Sequence, residues 1–213
     1  MSAGADAKYD LKREHPELYA PSAKEFAVVD VPPMRCLAVD GHGDPNTSAA
    51  YGDAVEALFA VAYAVKFASK RGLGRDFVVA PLEGLWWADD RAAFVARDKD
   101  AWSWTMLITQ PDWIDEEDVA AGVARARAKA AIASNPALDV LRLEHLHEGL
   151  SAQILHVGSY DDEAPTLARL HDEWMPRHGF TFNGAHHEVY LSDARRTAPE
   201  KLRTVLRQPA RPA

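Results

Sequence analysis

The chain has 213 residues, of which 47% are hydrophobic and 26% are charged. This length and composition are typical of one large folded domain, or two small ones, with a hydrophobic core. Its formal net charge of -8 argues against the clustered basic surface that nucleic-acid binding requires. We therefore expect no nucleic-acid partner.

Membrane and secretory signals are weak. The longest apolar stretch, VEALFAVAYAV, is about half of the roughly 20 residues that span a bilayer. The N-terminus lacks the apolar segment of a signal peptide, and the single cysteine, Cys36, fits a reducing compartment. We expect a cytoplasmic protein with no membrane contact.

The first predicted elements are an arm, two strands and a long helix. Residues 1–26 are polar and are expected to form an N-terminal arm. Two extended runs follow, separated by Pro32-Pro33 and ended by the turn signal GHGDPN. From Thr47 to Arg71 apolar residues recur at helical spacing, and Gly72 ends the predicted helix.

Further elements alternate in type along the rest of the chain. DFVVAPLEGLWWA and AWSWTMLITQ predict two strands, with Glu83 at a turn or hairpin end, and DEEDVAAGVARARAKAAIA predicts a helix. VLRLEHLHEG and SAQILHVGSY are expected to form a hairpin around Gly149. A helix over APTLARLHDEWMPRHG, a strand over HHEVYLSDARR and a short closing helix over PEKLRTVLRQ complete the prediction.

A pattern of glycine turn, acidic stretch, helix and Glu-plus-aromatic strand occurs twice. LEGLWWADD and HHEVYLSDA are the corresponding strands. The repetition predicts an internal duplication of a small α+β module. We expect a single domain over residues 27–207, with pseudo-repeat halves of about 27–135 and 138–207.

Several blocks together resemble a known family. YDLKREHPELY, VDVPPM, VDGHGDPN, PLEGLWW, TMLITQPDWI and HHEVYLSD run in the order seen in stand-alone GyrI-like small-molecule-binding proteins, and the resemblance covers residues 9–207. The family is similar to the effector-binding domains of multidrug-responsive transcription regulators. It implies an α+β fold, a tandem repeat of strand-helix-strand-strand modules with antiparallel sheets around a central ligand cleft. About 26 polar residues precede the first strand, too few for a helix-turn-helix unit, so we expect no transcription factor.

The strand HHEVYLSD carries the main candidate site. Side chains alternate faces along a strand, so His186, Glu188 and Tyr190 share one face. His187 and Val189 share the other, more apolar face, which is expected to pack against the core. The resemblance implies that Glu188 faces the ligand. The alternative is the solvent face, where strand glutamates usually lie.

Aromatic side chains occupy strand faces that would line such a cleft. In AWSWTMLI the two tryptophans and the methionine share one face. By the repeat, Trp86 rather than Trp87 falls opposite Tyr190. The predicted ligand-binding residues are Trp86, Trp102, Trp104, Met106 and His186. The alternative is that these tryptophans belong to the core, the commoner fate of a large aromatic side chain.

A carboxylate among aromatic rings has two chemical uses, and both stay open. It can hold a lipophilic cation, with each ring face adding about 0.5 to 2 kcal/mol. It can also act as a general base on water; Glu188 and Tyr190 are then the catalytic residues, with Tyr190 orienting the water or donating to the developing oxyanion. Some members of the family hydrolyse the cyclopropane ring of DNA-alkylating natural products, so the resemblance implies a hydrolase as one function.

Two other functions remain as alternatives. One is a drug-sequestering or sensing module without turnover, and the other is a protein inhibitor that acts through its acidic surface. We expect a small-molecule ligand and no cofactor. EHLHE places only His145 and His147 on one strand face, so no metal site is predicted. The sequence does not indicate an oligomeric state.

Overall fold

The computed structural model describes residues 8–89 and 98–213. The chain divides into two compact units, each made of several segments. The first comprises Met1–Glu14, Met34–Ala80 and Trp87–Leu146, and the second comprises His15–Pro33, Pro81–Trp86 and His147–Ala213. Both units combine helices with antiparallel strand pairs. The predicted α+β class with antiparallel sheets is confirmed.

The first unit is built around a long helix on a three-stranded segment of sheet. Its elements are α1 (Leu11–Glu14), β2 (Met34–His42), α3 (Ala49–Gly72), β4 (Ser103–Gln110), α4 (Glu116–Arg127), α5 (Ala137–Val140) and β5 (Arg142–Leu146). Strand β2 pairs antiparallel with β4 on one side and with β5 on the other. Helix α3 packs on β2, β4 and α4, because its apolar stripe needs a partner surface.

The predicted helices of this unit are confirmed, and α4 begins with a capping box. The Asp115 side chain accepts a hydrogen bond from the backbone N–H of Asp118 at 2.9 Å. In turn, the Asp118 side chain accepts a hydrogen bond from the backbone N–H of Asp115. These bonds satisfy N–H groups that the first turn of a helix leaves without partners. Helix α4 ends at Arg127, earlier than the sequence pattern predicts.

Gly41 and Trp104 are directly opposite each other on β2 and β4, and the indole ring covers the glycine. A Cβ atom at Gly41 would overlap the ring of Trp104. We expect Gly41→Ala to lower the free energy of unfolding by about 1 to 3 kcal/mol, since overpacking forces a rigid ring to move. Urea denaturation measures the change.

Gly52 provides the matched control for this substitution. It lies in α3, and an added Cβ would meet no described residue within 4 Å beyond the adjacent backbone of its own helix. Gly52→Ala should raise the free energy of unfolding by about 0.5 to 1 kcal/mol, because alanine loses less conformational freedom in a helix. A Gly41→Ala protein as stable as the wild type would contradict the tight contact.

The second unit contains most of the strands. Its elements are α2 (Pro16–Tyr19), β1 (Ala27–Val31), β3 (Leu82–Trp87), β6 (Gly149–Val157), α6 (Ala164–Ala168), a π-helical turn (Arg169–Trp174), α7 (Met175–Arg177), β7 (Phe180–Phe182), β8 (His186–Tyr190) and β9 (Arg203–Pro212). The strand order is β1-β6-β9-β8-β3, and β7 also pairs with β9. β1 pairs with β6, and β3 pairs with β8. Strands that are far apart in the chain therefore belong to the same unit because they pair with each other.

Two predicted elements are wrong. β5 and β6 do not form a hairpin: β5 pairs with β2, whereas β6 pairs with β1 and β9. The closing helix is instead β9, preceded by a single 3₁₀ turn over Pro199–Lys201. Residues 204–210 of β9 are all buried, as in a strand covered on both faces, and its pairing with β6 and β8 overrides the helical spacing of its apolar residues.

Residues 8–26, expected as a polar arm, include two short helices. Within the second unit, Leu18 and Tyr19 of α2 are 0% and 4% exposed. Across residues 8–89 and 98–213, no helix has both the length and the apolar character needed to cross a bilayer.

Candidate functional site

Glu188 lies at the centre of β8 and is held by Tyr190. The Tyr190 hydroxyl donates a hydrogen bond to Glu188 Oε2 at 2.8 Å, as side chains two apart on one strand face can do. The Glu188 side chain is only 14% exposed. The carboxylate is therefore largely withdrawn from water and fixed in direction.

Trp86 completes a chain of hydrogen bonds to this carboxylate. Its Nε1 donates to the Tyr190 hydroxyl oxygen at 3.0 Å, while Trp86 itself is 5% exposed. Gly84, directly opposite Glu188 on β3, makes room for this contact, because an added Cβ would lie 2.7 Å from Trp86 Nε1 and 3.2 Å from the Tyr190 hydroxyl. The glycine is needed for the close approach of indole and phenol.

His186 is the fourth predicted residue in this group. It is 6% exposed, and its Nε2 lies 3.5 Å from Glu188 Oε1. The structure thus brings together four of the predicted site residues in one unit, which we call the Glu188 cluster: Trp86, His186, Glu188 and Tyr190.

Tyr160 is a neighbour of the cluster that the sequence pattern missed. Its ring meets the Tyr190 ring edge-on with centroids 5.6 Å apart, and the residue is 39% exposed. Partial burial, together with the charges of Glu163, Glu188 and Asp193, raises the pKa of Tyr160 to about 12. It is therefore a neutral phenol that offers an accessible aromatic surface beside Glu188. It lies in a 3₁₀ turn after β6, where no alternation marks it.

The opposite face of β8 carries a buried ionic cluster. His187 donates from Nδ1 to Glu148 Oε1 at 2.9 Å and from Nε2 to Glu83 Oε2 at 3.0 Å. Arg207, directly opposite His187 on β9, donates to Glu148 Oε2 at 3.2 Å. All four side chains are at most 2% exposed. The face is buried as predicted, but the prediction that it is apolar is wrong at His187.

Mutual attraction keeps this ionic cluster charged. Burial acts to lower the pKa of His187, but the charge and hydrogen bond of Glu148, and then those of Glu83, raise it to about 9. Burial acts to raise the pKa of Glu148, but His187 and Arg207 outweigh it and lower this pKa to about 2. Two cations therefore face two anions, which is how buried charges persist in folded proteins.

Glu83 is part of this cluster rather than a turn. It lies inside β3 and also accepts a hydrogen bond from the Tyr19 hydroxyl at 3.2 Å. Arg207 makes further bonds to Gln153 Oε1 and to the Leu18 carbonyl, each at 3.0 Å. The cluster thus connects β3, β8, β9, β6 and α2.

The remaining predicted ligand residues belong to the first unit. Trp104 and Met106 are 0% exposed, and Trp104 packs edge-on to Tyr51 and donates from Nε1 to the Gly43 carbonyl. Trp102, just before β4, is half-buried. The surroundings of Trp104 and Met106 are those of core residues.

Among residues 8–89 and 98–213, no group of three or more His, Cys, Asp or Glu side chains is arranged to hold a metal ion.

Comparison with known proteins identifies a family. Residues 24–210 match the family model described as GyrI-like small molecule binding domain. None of the curated proteins compared with the chain matches it.

Solved structures give a consistent picture of the fold. A crystal structure of an uncharacterized conserved protein from Listeria innocua is 37% identical with a TM-score of 0.86, covering 96% of this chain and 100% of that one. Another from the same organism, described as a hydrolase, is 37% identical with a TM-score of 0.81 and the same coverage. The EcmrR C-terminal domain, at 10% identity and a TM-score of 0.56, covers 89% of this chain and 98% of its own and shares the fold alone.

Proposed function

The chain belongs to the GyrI-like small molecule binding domain family, and from this premise we propose that its Glu188 cluster binds planar lipophilic molecules and hydrolyses those with an electrophilic cyclopropane. One observation carries the proposal. A largely buried carboxylate is held by a phenol, which is held in turn by an indole. Such a carboxylate is fixed in direction and sits among aromatic surfaces.

The ligand class follows from these surroundings. Aromatic side chains favour flat, apolar molecules, since stacked or edge-on ring pairs contribute about 0.5 to 1.5 kcal/mol beyond simple burial. The negative charge of Glu188 favours ligands that also carry a positive charge. Tyr160, with its exposed ring edge-on to Tyr190, offers a surface for stacking.

The proposed reaction adds one water to a cyclopropane fused to a cyclohexadienone. Glu188 removes a proton from water while the water oxygen forms a bond to a cyclopropane carbon. The bond between that carbon and the six-membered ring breaks, and its electron pair passes through the ring to the carbonyl oxygen. The resulting phenolate takes a proton from solvent, and Glu188 releases its own proton. Strain relief and formation of an aromatic ring drive the step.

Tyr190 positions Glu188 in this proposal. A phenol has one O–H, and in the structure that hydrogen is directed at Glu188 Oε2. Donation to a developing oxyanion, the other role expected from the sequence, would require Tyr190 to leave the carboxylate. The observed geometry favours the positioning role.

The description of a 37% identical protein as a hydrolase also supports turnover. The direct test incubates the purified protein with a cyclopropane-fused cyclohexadienone and follows the phenol by absorbance and the added water by mass spectrometry. Turnover above the uncatalysed rate supports the proposal. Saturable binding without turnover would leave a sequestering module. A protein that neither binds nor hydrolyses the compound would contradict the proposal altogether.

Binding can be followed through tryptophan fluorescence. We expect proflavine, a planar cationic dye, to quench the emission saturably. Trp86→Phe should weaken its affinity by about 2- to 10-fold, the effect of losing one hydrogen bond that holds the Tyr190–Glu188 pair. Fluorescence titration gives the dissociation constant.

Trp113→Phe is the control for this titration. Trp113 also donates from Nε1, to Ser69 Oγ at 3.1 Å, but it belongs to the first unit and is not a member of the Glu188 cluster. Its replacement should leave the dissociation constant unchanged. Equal effects of the two substitutions would argue against a specific role of Trp86.

A further inference from the structure

His186 is a buried side chain whose two ring nitrogens make no hydrogen bond to the described residues. It is 6% exposed. Buried polar side chains are nearly always hydrogen-bonded, because a buried polar group without a partner is destabilising. A ring kept at this cost points to a ligand.

The orientation of the imidazole is set by its neighbours. The ring of His171 meets it edge-on, with centroids 5.8 Å apart and an interplanar angle of 82°. His171 lies in the π-helical turn Arg169–Trp174, a rare geometry that is frequent at functional sites. This contact and the β8 backbone direct His186 Nε2 toward Glu188.

The distance between His186 and Glu188 suits a shared third atom. Nε2 and Oε1 are 3.5 Å apart, which is too long for a strong direct hydrogen bond. Two atoms at this separation can each contact one polar atom at about 2.8 Å. Glu188 Oε2 already accepts from Tyr190, so Oε1 is the oxygen that Tyr190 leaves uncovered.

Building on the proposed hydrolysis, we propose that His186 Nε2 and Glu188 Oε1 together hold the attacking water. With its lone pair on Nε2, His186 accepts one hydrogen of the water, and Glu188 accepts the other and removes it as a proton. Both oxygen lone pairs are then directed away from the protein groups and toward the cyclopropane carbon. His186 neither gains nor loses a proton in the step, so the balance of the reaction is unchanged.

A structural role and this catalytic role predict different effects of an apolar ring on turnover. If His186 only fills space, phenylalanine fills it as well and removes two unsatisfied nitrogens, so stability rises and turnover is unaffected. If His186 orients the water, stability holds or rises while turnover falls. Residues at active sites often lower the stability of the folded protein because they are placed for function.

The experiment compares His186→Phe with His186→Gln on a neutral cyclopropane-fused cyclohexadienone. We expect His186→Phe to lower kcat by about 10- to 100-fold, the effect of misplacing a reacting group. KM should stay within about twofold and the Tm should be equal or higher, because the change affects orientation of the water and not packing of the substrate. His186→Gln keeps a polar group near the Nε2 position and should retain more of kcat.

His156→Phe is the matched control. His156 is 8% exposed and also in the second unit, but its Nε2 is bonded to the Ser159 carbonyl at 3.2 Å. Its replacement should lower the Tm and leave kcat unchanged, the reverse of the pattern at His186.

Each outcome decides the inference. A His186→Phe enzyme as fast as the wild type would overturn it while the proposed hydrolysis stands. No turnover by the wild type would overturn both. If His186→Phe does not fold, His186→Leu replaces it, and failure of both to fold would show a structural role and overturn the inference.

Discussion

Glu188→Gln should lower kcat for a neutral cyclopropane-fused cyclohexadienone by about 100- to 10,000-fold, the usual contribution of a general base. The amide keeps the shape of the carboxylate, and its oxygen can still accept the hydrogen bond that Tyr190 now donates at 2.8 Å. What it loses is the basicity needed to remove a proton from water. Binding of the neutral substrate should therefore survive, and steady-state kinetics with a separate titration of affinity measures both quantities.

A pure counter-charge role predicts a different pattern from the same substitution. The affinity for a planar cation such as proflavine would fall, while any turnover of a neutral substrate would be untouched. Glu144→Gln is the control, since Glu144 is a carboxylate on β5 of the first unit that pairs with Arg142 at 2.8 Å. Turnover by Glu188→Gln at the wild-type rate would refute the base role.

The grouping of the Glu188 cluster follows from simple strand geometry. A period of two residues places His186, Glu188 and Tyr190 on one face whatever the partner strands are, and the structure has these three side chains within contact distance. The repeat predicted Trp86 opposite Tyr190; in the pairing of β3 with β8, Trp86 instead lies opposite His186, and its indole reaches the Tyr190 hydroxyl diagonally through a hydrogen bond. The family resemblance, read from six sequence blocks, is confirmed.

Strand partners and the buried ionic cluster were beyond the reach of local patterns. The spacing of Leu202, Val205 and Leu206 is compatible with a helix as well as with a strand. This segment forms the strand β9 because it pairs with β6 and β8. The four charged residues of the cluster come from segments far apart in the chain, between Glu83 and Arg207. Each looks like an ordinary surface charge on its own.

Removal of one member of the ionic cluster should be severely destabilising. Arg207→Met deletes the cation that bonds Glu148 at 3.2 Å in a setting where both are 2% exposed. Breaking a buried ion pair from one side costs about 3 to 5 kcal/mol, because the remaining charge is left without compensation. At about 2 to 4 °C per kcal/mol for a chain of this size, the Tm should fall by roughly 6 to 20 °C. Calorimetry measures the shift.

A double substitution separates lost packing from the uncompensated charge. Arg207→Met with Glu148→Gln removes one cation and one anion, so part of the stability should return relative to Arg207→Met alone. Arg195→Gln, at an exposed pair with Asp193, is the control and should leave the Tm unchanged. Strictly additive effects of the two buried substitutions would contradict the coupling.

The pH dependence of stability is the last expected consequence of this cluster. The pKa of His187 is raised from 6.5 to about 9, so its contribution is fully present below pH 6.5 and is lost as the pH rises through about 9. The pKa of Glu148 is lowered from 4.5 to about 2, so its contribution is present above pH 4.5 and is lost as the pH falls toward 2. The urea midpoint of unfolding should therefore be highest between pH 4.5 and pH 6.5, where both contributions are present. His187→Gln, which cannot titrate, should lose less stability than the wild type between pH 6.5 and pH 9.5, and an equal loss in both proteins would show that His187 is not the group responsible.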